Sequence, residues 1–144
     1  MSGEEPRVIL KPGKEKPVRN FHPWVFSGAI ARVEGDALDG AVVDVLDNKR
    51  AFLARGMLNR RSQIAVRLFS WDPEDTLNVE FLRRRIAQAA AYRARTVGRE
   101  ATAYRVVFSE ADGLPGLIVD RYGDTLTIQI STLGLAQRRD VVVE

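Results

Sequence analysis

The chain of 144 residues contains no cysteine and a single histidine, His22. A chain without cysteine forms no disulfide, no thiolate zinc site and no cysteine nucleophile, and one histidine cannot form a histidine metal site alone. No apolar run approaches the roughly 18 residues of a membrane-spanning helix, and residues 1–5 lack the basic and apolar stretches of a signal peptide. These absences predict no metal site, no catalysis through sulfur and a cytoplasmic location.

What is present is the composition of a globular protein with a mild basic surplus in its first half. Hydrophobic residues make up 45% and charged residues 28% of the chain, which is enough apolar material for one domain or two small ones. The net charge is +3. Residues 1–70 hold 12 Lys or Arg against 8 Asp or Glu, whereas residues 71–144 hold 10 against 11. The surplus in the first half is compatible with a nucleic-acid surface there.

The first half of the chain predicts a small β-barrel. Apolar runs at Val8–Leu10 and residues 63–69 predict strands, and residues 41–56 predict a hairpin. The turn of that hairpin contains Asn48, which tolerates left-handed backbone angles. A short helix is expected over residues 23–28, because Pro is typical of a first helical turn and Gly of a helix end. Short strands with closely spaced turns favour a barrel.

The pattern changes after a polar hinge at residues 71–75. Apolar residues at spacings of three and four predict a helix over residues 78–97, and its consecutive Arg83, Arg84 and Arg85 are expected to form a solvated face. Three further segments predict strands, at residues 104–108, 117–122 and 126–130, and the turn at residues 122–125 predicts a hairpin of the last two. A helix with three strands and an open edge is an incomplete unit, so the chain is expected to be truncated.

The predicted fold class is therefore mixed α+β. A small β-barrel is expected in a first domain, residues 1–72. An incomplete α/β domain, residues 73–144, is expected to follow it with a long helix and antiparallel strands. Residues 133–144 also permit the start of a further helix.

A basic loop in the first half, residues 11–19, is the first candidate site. Its cations lie beside the aromatic residues Phe21 and Trp24, a combination that suits phosphate contacts and base stacking. Two further arginines follow the predicted hairpin. The alternative is a solvated loop held down by a buried Trp24, and His22 is interpreted as a structural hydrogen-bonding residue. The candidate RNA-binding residues are Lys11, Lys14, Lys16, Arg19, Arg60 and Arg61.

A loop between two predicted strands, Ser109–Leu117, is the second candidate site. The carboxylates of Glu110 and Asp112 could bind a substrate amine, a ribose hydroxyl or an arginine of a partner. The alternative, which composition favours, is a tight turn in which Gly113 and Gly116 take positive backbone angles. The sequence contains no phosphate-binding loop and no Rossmann glycine motif, and it gives no grounds for pairing a serine with the histidine. No catalytic, cofactor-binding or metal residue is therefore predicted.

Four segments together resemble a known enzyme family. They are HPWVFSGAI (22–30), FLARGMLNRRSQIAVR (52–67), YRVVFSEADGLPGLIVDRYGD (104–124) and TLTIQIST (125–132). Over nearly its whole length, and in the same order, the chain is similar to the PUA-containing methyltransferases that depend on S-adenosylmethionine and make 5-methylcytosine in large-subunit ribosomal RNA.

The resemblance implies that residues 1–72 form a PUA-type barrel that binds ribosomal RNA, and that residues 73–144 link it to a Rossmann-like catalytic domain beyond Glu144. The loop Glu110–Gly116 would lie near the catalytic cleft or the seam between domains. S-adenosylmethionine and the nucleophilic cysteine would belong to the missing domain, so the chain alone is expected to bind RNA weakly and methylate nothing. Two alternatives stay open: a stand-alone RNA-binding protein, and a protein-interaction module that forms a homodimer.

Overall fold

The computed structural model describes residues 5–144 and divides into two units, Met1–Leu77 and Asn78–Glu144. The expectation that no signal peptide is present rests mainly on residues 1–4, which lie outside the described residues. The division follows Leu77, whereas the sequence predicts a domain boundary after residue 72. Within the described part, no helix combines the length and the apolar character needed to span a membrane.

The first unit is a curled sheet of six strands with one short helix. Its elements are β1 (Arg7–Leu10), α1 (Lys16–Arg19), β2 (Trp24–Phe26), β3 (Ile30–Glu34), β4 (Val42–Leu46), β5 (Phe52–Leu58) and β6 (Ile64–Ser70). The strand order is β2-β6-β5-β4-β1-β3, with β1 parallel to β4 and antiparallel to β3. The edge strands β2 and β3 are joined by a single 3-10 helix, Ser27–Ala29. The sheet must therefore curl until its two edges approach each other, as in an open barrel.

Alternating apolar side chains on this sheet form the core of the first unit. Val43 and Val45 are two residues apart on β4, so they point to the same side, and both are almost fully buried. Val18 of α1 belongs to the same cluster, which means that the short helix covers part of the core. The other buried members are Val8, Leu10, Val25, Leu53, Ala54, Leu58, Val66 and Leu68.

The helix predicted over residues 23–28 is wrong. Residues 24–26 form strand β2, which pairs antiparallel with β6 and places Trp24 opposite Arg67. Val25 is buried in the core. The hydrogen bonds and burial that β6 provides outweigh the local signals of proline and glycine, as tertiary context often does. The predicted loop at residues 11–19, in turn, contains the four-residue helix α1.

The second unit combines a long helix with a three-stranded antiparallel sheet. Its elements are α2 (Val79–Thr96), β7 (Ala103–Phe108), β8 (Leu117–Tyr122), β9 (Thr125–Ile130), α3 (Leu133–Gln137) and α4 (Arg139–Val143). The strands are ordered β7-β8-β9, and α2 packs against β7. The side chain of Asn78 caps α2 by accepting the N–H of Phe81 at 2.9 Å. The helix predicted over residues 78–97 is therefore present, with its ends displaced by one residue.

The solvated helix face predicted for three arginines of α2 is wrong for Arg85. Its guanidinium lies over the ring of Phe81, with Cζ 4.5 Å from the ring centroid. It also donates a hydrogen bond to the carbonyl oxygen of Gly113 at 2.8 Å. Arg83 and Arg84 are exposed. Successive residues project about 100° apart around a helix, so one of three adjacent arginines points toward the loop after β7.

We expect the substitution Gly56→Ala to destabilise the first unit. A Cβ atom at this position would lie 2.2 Å from the carbonyl oxygen of Arg67 on the neighbouring strand, so the backbone of β5 or β6 would have to shift. The expected loss in the free energy of unfolding is about 1–3 kcal/mol, measured by chemical denaturation. Gly28→Ala is the control, because a Cβ there would meet no atom within 4 Å. Equal losses in the two variants would contradict this account.

Candidate nucleic-acid interface

A groove on the first unit is lined mainly by apolar and aromatic side chains. Its volume is about 400 Å³, which is in the range of small-molecule binding sites. The lining residues come from the basic loop, α1, β2 and the 3-10 helix that follows β2. No carboxylate is among them, whereas Lys14 and His22 are. The lining therefore favours a ligand that has apolar surface and carries negative charge.

Three rings, those of His22, Trp24 and Phe26, form one cluster in this groove. Trp24 and Phe26 are two residues apart on β2, so their side chains project from the same face. The ring centroids lie 5.8 Å apart for His22–Trp24 and 6.3 Å apart for Trp24–Phe26, with interplanar angles of 74° and 86°. This is edge-to-face packing. The Phe26 side chain remains 49% exposed, so part of the cluster is open to a ligand.

A chain reversal at the end of α1 brings His22 into the groove. Phe21 has a φ of 63°, a left-handed conformation that glycine usually occupies after a helix. The N–H of Phe21 donates to the carbonyl oxygen of Val18 at 3.0 Å, and that of His22 donates to Pro17 at 2.9 Å. The Nδ1 atom of His22 then accepts the N–H of Trp24 at 3.2 Å. Nε2–H is therefore the donor of the neutral ring.

Two long-range interactions hold α1 against the sheet. The indole Nε1–H of Trp71 donates to the carbonyl oxygen of Val18 at 2.8 Å. The guanidinium of Arg19 donates to Oδ2 of Asp47, also at 2.8 Å. The Asp47 side chain is only 8% exposed, whereas that of Arg19 remains 54% exposed. Both contacts fix the wall of the groove that α1 provides.

The turn between β4 and β5 depends on the carboxylate of Asp47. Its Oδ1 atom accepts the N–H of Ala51 at 2.8 Å and that of Lys49 at 2.9 Å. The bond from Ala51 is the main reason why the pKa of Asp47 lies below its usual range, and nearby cations lower it further. The left-handed residue of this turn is Arg50, with a φ of 69°, whereas the sequence suggested Asn48.

The predicted RNA-binding lysines lie at and around the groove. Lys14 lines it directly. Lys11 is fixed beside it, because its backbone N–H donates to the carbonyl oxygen of Ala29 at 2.9 Å. Lys16 is exposed on α1. Arg19 is also exposed, but its guanidinium is engaged by Asp47, so its contribution to anion binding is reduced.

The two predicted arginines after the hairpin lie in the turn between β5 and β6. This turn adjoins the segment after β2, because the N–H of Ser27 donates to the carbonyl oxygen of Gln63 at 2.8 Å. The guanidinium of Arg60 lies 3.4 Å from a carboxylate oxygen of Asp39, whereas Arg61 is exposed. Two separate loops that carry cations, the basic loop and the β5–β6 turn, therefore adjoin the segment that follows β2.

Sequence analysis missed Phe26 and Arg67 and gave His22 only a structural role. Arg67 lies on β6 opposite Trp24, with Cζ 5.5 Å from the ring centroid, a geometry of cation–π contact. The alternation of Trp24 and Phe26 would have indicated an aromatic face had the segment been interpreted as a strand. Arg67 could be found only from the pairing of β2 with β6, which local patterns do not reveal.

The Asp112 carboxylate in the second candidate loop is bound within the second unit. It accepts the backbone N–H of Phe108 at 2.6 Å and pairs with the guanidinium of Arg93 at 2.9 Å. The side chains of Arg93 and Asp112 are only 16% and 12% exposed. A charge-assisted pair with so little solvent contact stabilises the loop, and it gives Asp112 a structural role in the turn.

The rest of this loop is a tight turn. Glu110 is partly buried in a 3-10 helix, Ser109–Asp112, that ends at Gly113. Gly113 and Gly116 have φ values of 69° and 90°, which glycine adopts without strain. The residues that the sequence singled out therefore lie together in one turn, and the position of this turn near a catalytic cleft stays a prediction.

Comparison with known families supports the assignment of the first unit. Residues 8–71 match the family model described as a PUA-like domain. This match covers the six strands except for the first residue of β1, and it includes Trp71. The predicted PUA-like unit is therefore confirmed.

Curated relatives match nearly the whole chain. Over 138 residues it is 39% identical to the protein named Ribosomal RNA large subunit methyltransferase I of Cronobacter sakazakii and 38% identical to that of Shigella boydii. These alignments cover 95% of this chain and 35% of each relative. The chain thus spans about a third of the length of the curated relatives it matches.

Two solved structures share the fold. A protein from Streptococcus mutans described as a SAM-dependent methyltransferase has a TM-score of 0.79, and a protein described as a methyltransferase complexed with SAH has a TM-score of 0.81. Both are 22% identical to this chain, cover 95% of it, and are themselves covered to 36% and 35%. At this identity the likeness is one of fold alone.

We expect the effect of Asp47→Asn on thermal stability to depend on pH. The folded-state pKa of Asp47 is lowered, so its charged form stabilises the fold above the usual aspartate pKa, and this contribution is lost as pH falls through the lowered pKa. The variant should melt at a lower temperature than the native chain at neutral pH. The difference should shrink on acidification, as measured by circular dichroism. A difference that is constant from neutral to acid pH would contradict the role given to the charge.

Proposed function

We propose that this chain is the RNA-binding part of a ribosomal RNA methyltransferase, and that its first unit contacts the RNA. The observation that carries the proposal is the aromatic groove of the PUA-like unit, with Lys14 in its wall and no carboxylate among its lining residues. The curated relatives carry the name of a large-subunit ribosomal RNA methyltransferase, which supports the same class of partner.

The cations near the groove would contact the phosphate backbone of the RNA. Contacts of this kind position an RNA without specifying its sequence. They also release counterions, so affinity falls steeply with salt. The residues we propose for these contacts are Lys11, Lys14, Lys16, Arg19, Arg60 and Arg61. Arg19 and Arg60 already pair with carboxylates in this unit, so we assign the larger share to the three lysines and Arg61.

We further propose that the whole protein uses S-adenosylmethionine and methylates carbon 5 of a cytosine. This route needs a thiolate that adds to the base before methyl transfer. The chain contains no cysteine, so the thiolate would lie outside these 144 residues, and we place the cofactor site of the whole protein there as well. The chain would then contribute RNA binding to the reaction and none of its chemistry.

The first prediction of this proposal concerns the salt dependence of RNA binding. We expect the triple variant Lys11→Ala, Lys14→Ala, Lys16→Ala to bind a fluorescein-labelled large-subunit rRNA hairpin more weakly than the native chain. Each phosphate contact to a single strand contributes about 0.7 to the slope of log affinity against log salt, so the slope should become shallower by about 2. Fluorescence polarisation between about 50 and 200 mM salt measures it.

The matched control removes three exposed arginines of the second unit, with Arg83, Arg95 and Arg99 changed to Ala. It lowers the net charge by the same amount, so general electrostatic attraction falls equally in the two variants. The control should keep the native slope. If the lysine variant and the native chain bind alike, the lysines are only solvated surface. A mass that rises with concentration in light scattering would then favour association through the edge strand β9 instead.

The second prediction concerns methyl transfer by this chain alone. With S-adenosylmethionine labelled in its methyl group and unmodified large-subunit rRNA, we expect no label in the RNA, because the chain offers no thiolate. Scintillation counting of the recovered RNA measures the outcome. Label incorporated above a no-protein blank would overturn the proposal that this chain supplies RNA binding and none of the chemistry.

A further inference from the structure

The aromatic cluster of His22, Trp24 and Phe26 is partly exposed to solvent, so it does more than pack against the core. Val25, between the last two, is buried, whereas Phe26 is 49% exposed and His22 is also exposed. A strand of a small domain would normally place polar side chains at its outward positions. Here the outward positions of β2 hold an indole and a phenyl ring, with the imidazole beside them.

The backbone holds these rings before any ligand arrives. Trp24 is fixed by the pairing of β2 with β6, and His22 is fixed by the bond from the N–H of Trp24 to its Nδ1 atom. The strained φ of Phe21 shapes the reversal that brings His22 next to β2. Strain of this kind tends to persist at functional sites, where the surrounding structure holds it in place. A ligand would therefore lose little free energy in ordering the groove.

The charged side chains around the cluster indicate which class of ligand the groove can bind. Lys14 contributes to the wall, and the guanidinium of Arg67 lies over the indole of Trp24. No carboxylate lines the groove. An apolar peptide would gain nothing from these cations. A nucleotide would use both features, because its base is flat and aromatic and its phosphate is an anion.

We infer that this groove binds one unpaired base of the RNA, stacked against Phe26, with Lys14 on a flanking phosphate. The inference rests on the proposed RNA-binding function and adds the state of the RNA that is recognised. A paired base within a helix has both faces covered by its neighbours, so only a base in a loop, bulge or single strand can enter. The first unit would thereby prefer single-stranded RNA to duplex.

The test compares three RNA probes with the native chain and with Phe26→Ala. The probes are a short adenosine oligonucleotide, an abasic strand of the same length, and a fully paired duplex. Loss of one stacked base should weaken binding of the adenosine strand about 5- to 150-fold. Binding of the abasic strand and of the duplex should stay unchanged. The slope of log affinity against log salt should also stay unchanged. Phe26→Trp should restore the affinity.

Phe108→Ala is the matched control, because Phe108 is similarly exposed, at 46%, but lies in the second unit. It should leave binding of all three probes unchanged. If Phe26→Ala weakens all three probes equally, or none of them, the stacking inference is overturned while the lysine variant still tests the RNA-binding function. If the native chain binds none of the probes and no rRNA hairpin, both proposals fail.

Discussion

The attachment of α1 to the sheet of the first unit is the constraint on which the candidate interface depends. A helix of four residues is far too short to be stable alone, so its tertiary contacts decide whether it forms. Val18 is buried in the core, and its carbonyl oxygen is held by the indole of Trp71. The chain reverses directly after α1, at Phe21. The position of α1 therefore decides where β2 starts and whether a groove exists between them.

In the proposed interface, the groove and the cations around it have complementary physical roles. Phosphate contacts supply affinity that does not depend on sequence, whereas stacking on an aromatic ring distinguishes unpaired from paired bases. The second candidate loop differs from the groove, because the Asp112 carboxylate is engaged by Arg93 and a backbone N–H. The groove thus offers exposed aromatic surface to a ligand, and Asp112 of the loop serves the internal order of the second unit.

Features set by neighbours in sequence were predictable, and features set by distant partners were not. The helix α2 follows from its periodicity, and the hairpin of β4 and β5 follows from its β-branched run and its turn residues. The segment of β2 was predicted as a helix from its proline and glycine. Its strand conformation depends on pairing with β6, some forty residues later, which these local signals do not reveal. Arg85 was expected in solvent, but it bonds to Gly113 in a distant loop. The basic loop was found from composition, whereas Phe26 and Arg67 required the register of β2 and β6.

The most direct measurement of the central claim is a cross-linking map of the bound RNA. A large-subunit rRNA hairpin that contains 4-thiouridine in its loop would be irradiated with the native chain, and the linked peptides would be identified by mass spectrometry. The account predicts cross-links to the segment that contains His22, Trp24 and Phe26, which lines the groove. Cross-links confined to residues 78–144, with none to this segment, would contradict it.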